Sequence, residues 1–149
     1  MNLSAGVKVT QVLGYYAAGT TARKADIIDM ANFDGCMFVY EFGTLLNTGT
    51  LDCLVSGDSA NSTSNMTRLL TTTAFTVGTT EAAYAKSCIV VDVYQPDPVL
   101  HRYLEAQVVP AVANAVILGI TAIQYQGRVK PITAPATTLK TTFLQSPGE

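Results

Sequence analysis

The chain has no tryptophan, one histidine and three cysteines in 149 residues, and only 13% of it is charged. Each shortage excludes something. A single histidine, His101, cannot supply the multi-histidine ligand set of a zinc centre. Cys36, Cys53 and Cys88 are odd in number and widely spaced, with no Cys-x-x-Cys, which argues against a disulfide framework or a zinc site. Each lies in an apolar run and reads as a small buried hydrophobe, in keeping with synthesis in a reducing cytoplasm. The charge content is about half the roughly 25% of an ordinary soluble domain. Such a surface is either rich in neutral polar groups or covered by neighbouring subunits, because interface cores are depleted of charge.

Net charge is −2 and no Lys/Arg run occurs. Arg23-Lys24 and Arg128-Val129-Lys130 are the densest basic spots and read as solvated loop charges, so no nucleic-acid partner is expected. Met1 to Gly6 lacks the basic and apolar pattern of a secretory leader. The longest uncharged stretch, Ala106 to Gly127, is interrupted by Gln107, Pro110, Asn114, Gly119, Thr121, Gln124 and Gln126. That excludes the roughly 20 predominantly apolar residues of a spanning helix, and no membrane partner is expected.

What the sequence does contain is short runs that alternate with a period of two. Strands are expected at Val7 to Tyr16, Ile27 to Met30, Cys36 to Phe42, Thr50 to Val55, Ala74 to Val77, Cys88 to Tyr94, Tyr103 to Val109 and Ala115 to Tyr125. Asn32-Phe33-Asp34-Gly35 and Gln95-Pro96-Asp97-Pro98 read as turns. Ser56 to Thr67 reads as an exposed polar loop, and Glu81 to Lys86 as a helical turn. About eight strands at regular spacing point to an all-β fold, a jelly-roll-like antiparallel β-sandwich over residues 1–128. In the last strand, Val116, Leu118, Ile120 and Ala122 are expected on one face and Ile117, Gly119, Thr121, Ile123 and Tyr125 on the other. A strand apolar on both faces is either central or lies at a subunit interface. Residues 129–149 are Thr- and Pro-rich and read as an extended C-terminal arm, with Leu139, Phe143 and Leu144 as its anchors. The candidate assembly contacts are therefore Val116, Leu118, Ile120, Leu139, Phe143 and Leu144.

The chemistry-bearing motifs are sparse. Gly57-Asp58-Ser59 resembles the nucleophile segment of some serine hydrolases, but Ala60-Asn61 replaces the expected glycines. Asp97 and His101 are spaced Asp-x-x-x-His, and no Gly-x-Ser-x-Gly elbow is present. A hydrolase would need Ser59, Asp97 and His101 to meet in space. Asp26, Asp29 and Asp34 cluster without EF-hand spacing and read as turn and capping residues. Asp92 and Arg102 are placed to pair across the Gln95–Pro98 turn. No cofactor, metal site or enzymatic activity is expected. The rival from another class is a carbohydrate-binding module presenting Tyr15, Tyr16, Tyr84 or Tyr103, though none of these is a tryptophan platform.

The pieces also form a familiar series. Val7-Lys8-Val9 opens it, Asp29-Met30-Ala31-Asn32-Phe33-Asp34-Gly35 and a Met-Phe-Val strand follow, and Val91-Asp92-Val93-Tyr94-Gln95-Pro96 comes later. Ala122-Ile123-Gln124-Tyr125-Gln126-Gly127-Arg128-Val129-Lys130-Pro131 closes it. This series resembles small structural proteins of tailed-bacteriophage particles. The likeness spans most of the chain and rests on strand and turn pieces, so no site residue is carried over. It implies a capsid decoration or cement protein, trimeric, made in the host cytoplasm and sitting on the outside of the virion. Its partners would be copies of itself and the major capsid protein. A head-to-tail, neck or tail component is the alternative within the same class.

Overall fold

Apolar–polar alternation produces two antiparallel sheets whose apolar faces meet. The computed structural model describes residues 6–63, 66–71, 74–128, 135–136 and 138–139. Among them are eleven strands. They are β1 (Lys8–Leu13), β2 (Tyr16–Gly19), β3 (Arg23–Lys24), β4 (Ile28–Asp29), β5 (Gly35–Leu45) and β6 (Thr50–Asp58), followed by β7 (Thr67–Thr71), β8 (Phe75–Thr76), β9 (Ser87–Tyr94), β10 (Tyr103–Ala111) and β11 (Ala115–Tyr125). One short helix, α1 (Thr79–Ala82), precedes β9.

The front sheet runs β1-β11-β5-β9, with β2 also on β11. The back sheet runs β3-β10-β6-β7, with β4 also on β10 and β8 also on β6. The short pairs β1/β2, β3/β4 and β7/β8 are each one interrupted strand lying along a continuous neighbour. Counted that way there are eight strand positions, ordered 1-8-3-6 in front and 2-7-4-5 behind. Position 1 pairs with 8, 2 with 7, 3 with 6 and 4 with 5. This is the wrapped-hairpin connectivity of a jelly roll. The expected all-β sandwich is thus the observed one, and β11 is a central strand of its sheet, with one face on the core and the other on the outside of the sandwich.

The core lies between β5 and β11 in front and β6 and β10 behind. Phe38, Tyr40, Ile120, Ala122, Cys53, Val55, Leu104, Ala106 and Val108 are all fully buried there. Each large side chain buried this way contributes about 1.5–3 kcal/mol. Tyr40 keeps its polar tip satisfied by donating its hydroxyl across the core to the carbonyl of Leu54 at 2.7 Å, and burial raises its pKa. Cys36 and Cys53 are buried as expected, and burial pushes the Cys53 thiol up to about 12. Cys88 differs. It is exposed, because β9 is an edge strand whose alternate side chains point out of the sandwich.

The alternation along β11 is broken once. Ala115 and Ile117 point into the core, but the next inward residues are Ile120, Ala122 and Gln124. In register with β5, Ile117 faces Phe42 while Gly119 faces Glu41, so β11 spends an extra residue at Leu118. This β-bulge shifts the side-chain phase by one. Gly119 makes it possible, since a Cβ there would lie 2.7 Å from the backbone oxygen of Leu13 on β1.

Candidate assembly surface

The outward face of the front sheet is assembled row by row from the strand register. Val9, Ile123, Met37 and Asp92 form one row across β1, β11, β5 and β9. Gln11, Thr121, Val39 and Val90 form the next. Val9 is 45% exposed and Val90 50%, while Met37, Val39 and Ile123 between them are half-buried. Beyond one end of these rows, the Tyr94 and Tyr125 rings stack with centroids 6.5 Å apart. The Tyr125 ring occupies the space that a side chain on Gly35 would need. Its hydroxyl donates to Asp92 Oδ1 at 2.7 Å. Beyond the other end, Gly43 leaves room for Val116 and Leu118. The two rows are therefore mostly apolar, with Asp92 as their one charged residue, and Glu41 stands in the next row between Gly119 and Cys88.

The residues expected to make assembly contacts divide. Val116 is half-buried and Leu118 is 41% exposed, both on this face. Ile120 is not. It is fully buried in the core, because the bulge reverses the phase of the strand between Leu118 and Ile120. Leu139 is 97% exposed. Its neighbour Thr138 donates its hydroxyl to the carbonyl of Val9 at 3.1 Å, which brings this part of the arm to the margin of the face. Phe143 and Leu144 lie outside the described residues. Sequence reasoning missed Val9, Met37, Val39, Val90, Ile123 and Tyr94 as surface residues. Their strands are apolar on both sides, and only their place in the sheet separates core from surface.

Charge gathers at one end of the sandwich. Arg102 donates from Nε and Nη2 to the two carboxylate oxygens of Asp29 at 2.9 and 2.7 Å. Arg128 holds Asp34 through Nε at 2.8 Å and Nη2 at 2.6 Å. The expected Asp92–Arg102 pair is thus replaced. Arg102 reaches back to β4, and Asp92 points onto the front face. Gln124, 1% exposed, donates to the Asp29 carbonyl at 2.8 Å and ties β11 to β4. A cleft of about 390 Å³ opens here, lined by Phe33, Asp34, Pro96, His101, Arg102 and Arg128 among others.

The hydrolase candidates do not form a relay. Ser59 Oγ donates to Asp58 at 3.2 Å. One Asp97 carboxylate oxygen accepts the amides of Val99 and Leu100, both at 2.9 Å, and those bonds hold its carboxyl below the usual range. His101 Nδ1 is buried and has no partner. Asp29 and Asp34 are each engaged by an arginine. Among the described residues no group of three or more His, Cys, Asp and Glu side chains comes together.

The Arg102 guanidinium lowers the pKa of Asp29, partial burial opposes it, and the Ala31 amide helps it. A carboxyl held low contributes stability that is fully present above its unfolded-state pKa. That stability is lost as pH falls through the folded value. Between about pH 5 and pH 2 the wild type should therefore lose an increment of stability that Asp29→Asn does not carry. Melting temperatures of both proteins across that range check this, and parallel curves would contradict it.

No protein-family model matches the chain, and no curated protein matches it. Solved structures do. A chain from the structure of infectious bursal disease virus, Gx strain, superimposes with a TM-score of 0.56 at 12% identity, covering 84% of this chain and 33% of that one. A chain from the T13 particle of the same virus gives a TM-score of 0.49 at 12% identity, with 85% and 34% covered. The CBM35 module from Paenibacillus barcinonensis gives 0.43 at 15% identity, with 82% and 95% covered. The chain spans about a third of the length of the viral chains. The first of these likenesses places the sandwich in a known fold, and the other two are too distant to carry an argument.

Proposed function

We propose that this chain is a virion structural protein, and that it decorates and stabilises the outside of a tailed-phage head as a cement protein. The observation that carries the reading is the outward face of the front sheet. Val9, Ile123, Met37, Val39, Val90 and Leu118 give a rigid jelly roll a broad apolar surface with few charges. Contiguous exposed apolar patches of this kind mark protein–protein contact sites. The major capsid protein is the partner assigned to it. The arm, entering beside Val9 through Thr138, supplies a second point of attachment. Weak contacts of this sort add up when many copies sit on one symmetric shell. Jelly rolls recur in viral capsids, the fold is shared with a chain of a virus particle, and the phage-particle resemblance of the sequence agrees with both. The carbohydrate-binding reading is less well supported, because the residues lining the cleft include no tyrosine.

A cement protein stabilises the state it binds. Heads lacking the chain, heated with and without it at saturation, should release their contents at a higher temperature when it is present. An unchanged release temperature would count against the cement role.

A further inference from the structure

The cleft at the charged end of the sandwich has no part in the assembly role. The turns that form it, 30–34, 95–101 and 126–128, are tied together through the backbone. The Met30 amide donates to the Arg102 carbonyl at 2.8 Å, the Gln95 amide to the Asp34 carbonyl at 2.7 Å and the Arg128 amide to the Asn32 carbonyl at 2.8 Å. Asn32 and Gln95 both line the cleft and both hold left-handed backbone angles, with φ 70° and 49°. That conformation is uncommon outside glycine, and strained backbone gathers at ligand sites. Walls that are already fixed keep the ordering cost of binding low.

The lining side chains decide what the cleft can hold. Arg102 commits Nε and Nη2 to Asp29, and Arg128 commits the same pair of nitrogens to Asp34. A guanidinium has five N–H donors, so each arginine keeps Nη1 for a ligand. Both contacts of Arg128 fall on Oδ1 of Asp34, which leaves Oδ2 as an acceptor beside it. The side chains of Arg102, Arg128 and Asp34 are 48%, 60% and 31% exposed, open enough to be met from outside. Asn32, Gln95 and His101 add groups that can both donate and accept. Phe33, Pro96 and Pro98 add apolar surface.

Other ligand classes fit this arrangement poorly. An anion finds both arginines already matched by carboxylates, with Asp97 in the same turn adding a negative charge. A metal ion needs a cluster of ligands that the described residues do not form. An extended peptide binds through main-chain hydrogen bonds, but the amides of Met30, Phe33, Asp34, Gln95, His101 and Arg128 already donate within this end. What remains is fixed side-chain donors and acceptors next to small apolar surfaces. These complement a sugar ring, whose edge carries neighbouring hydroxyls and whose face carries C–H groups.

We infer that the cleft binds a neutral saccharide of one or two rings, with Arg128 and Asp34 meeting adjacent hydroxyls and Phe33 lying against the ring. Its volume of about 390 Å³ is at the small end of ligand sites, which span about 300–1,000 Å³. The lining offers no tyrosine or tryptophan platform, so one copy holds its ligand weakly and is not an attachment module by itself. The site is additional to the virion role, and many copies on one shell would add their weak contacts.

The test is an NMR titration of the full-length chain that reads backbone amide shifts. The probes are glucose, galactose, mannose and N-acetylglucosamine, with acetate and inorganic phosphate as the ionic comparison. Shifts should gather at residues 30–34, 95–102 and 126–128, saturate with at least one sugar, and stay smaller with either ion. An exposed ion pair contributes little to stability, so Arg128→Leu should keep the wild-type circular dichroism spectrum while its affinity falls about tenfold or more. Leu118→Asp on the front face should bind as wild type does. Three results would each overturn the inference: no cleft shifts with any of the sugars, stronger shifts with acetate or phosphate, or a folded Arg128→Leu variant that binds as wild type does. No heads are present, so none of these outcomes bears on the virion role.

Discussion

Ile120→Asp is expected to unfold the domain, whereas Leu118→Asp, on the same strand, is expected to leave it folded. Ile120 is fully buried between Tyr40 and Leu13, its register partners on β5 and β1. An unpaired carboxylate placed there costs several kcal/mol, against a total stability of about 5–15 kcal/mol for a domain. Leu118 is 41% exposed on the front face, and surface changes usually stay within about 0.5 kcal/mol. In a regular strand the two positions would share a face and respond alike. The contrast therefore measures the bulge itself. Circular dichroism and urea denaturation of both variants would show it, and equal tolerance of the two aspartates would mean that β11 keeps one phase throughout.

The second large effect belongs to the residue between them. Gly119→Ala would put a methyl group 2.7 Å from the Leu13 carbonyl oxygen, a backbone atom that cannot move without shifting β1. Overpacking and strained backbone each cost about 1–3 kcal/mol, so a loss of about 3 kcal/mol or more is expected in denaturant unfolding. An unchanged midpoint would show that β1 and β11 are not this close. Because Gly119 permits the phase change that turns Leu118 outward, the same substitution should also disturb the front face.

The contrast between Ile120 and Leu118 shows where sequence reading stops. Period-two alternation located β5, β9 and β11 and the turns between them, since each run is long enough to show its period and is bounded by Gly or Pro. Alternation can assign a face only while register is unbroken, and nothing in Leu118-Gly119-Ile120 announces a bulge except the glycine. Strand β7, Thr67–Thr71, begins where the polar loop was expected to end. Its Thr-Arg-Leu-Leu-Thr run shows no period-two alternation, and its place is set by pairing with β6. Partner choice was likewise illegible. Arg102 lies near Asp92 in sequence but finds Asp29 in space, because β4 is the strand laid beside the start of β10. The exposure of Cys88 has the same origin, since edge or centre is a property of the sheet and not of the strand. The outward face of the front sheet, proposed above as the assembly surface, was half-legible. Leu118 and Val116 were identified from a doubly apolar strand, but the wider face needed the order of β1, β11, β5 and β9.

The central claim is that the front face holds this chain on a viral shell. The most direct measurement mixes purified chain with heads that lack it, spins them, and compares wild type with Leu118→Asp and with a chain ending at residue 128. Wild type should pellet with the heads. Leu118→Asp should stay largely in the supernatant while remaining folded, and the shortened chain should bind more weakly. Wild type that stays in solution at every ratio, or a Leu118→Asp variant that pellets as wild type does, would contradict the account.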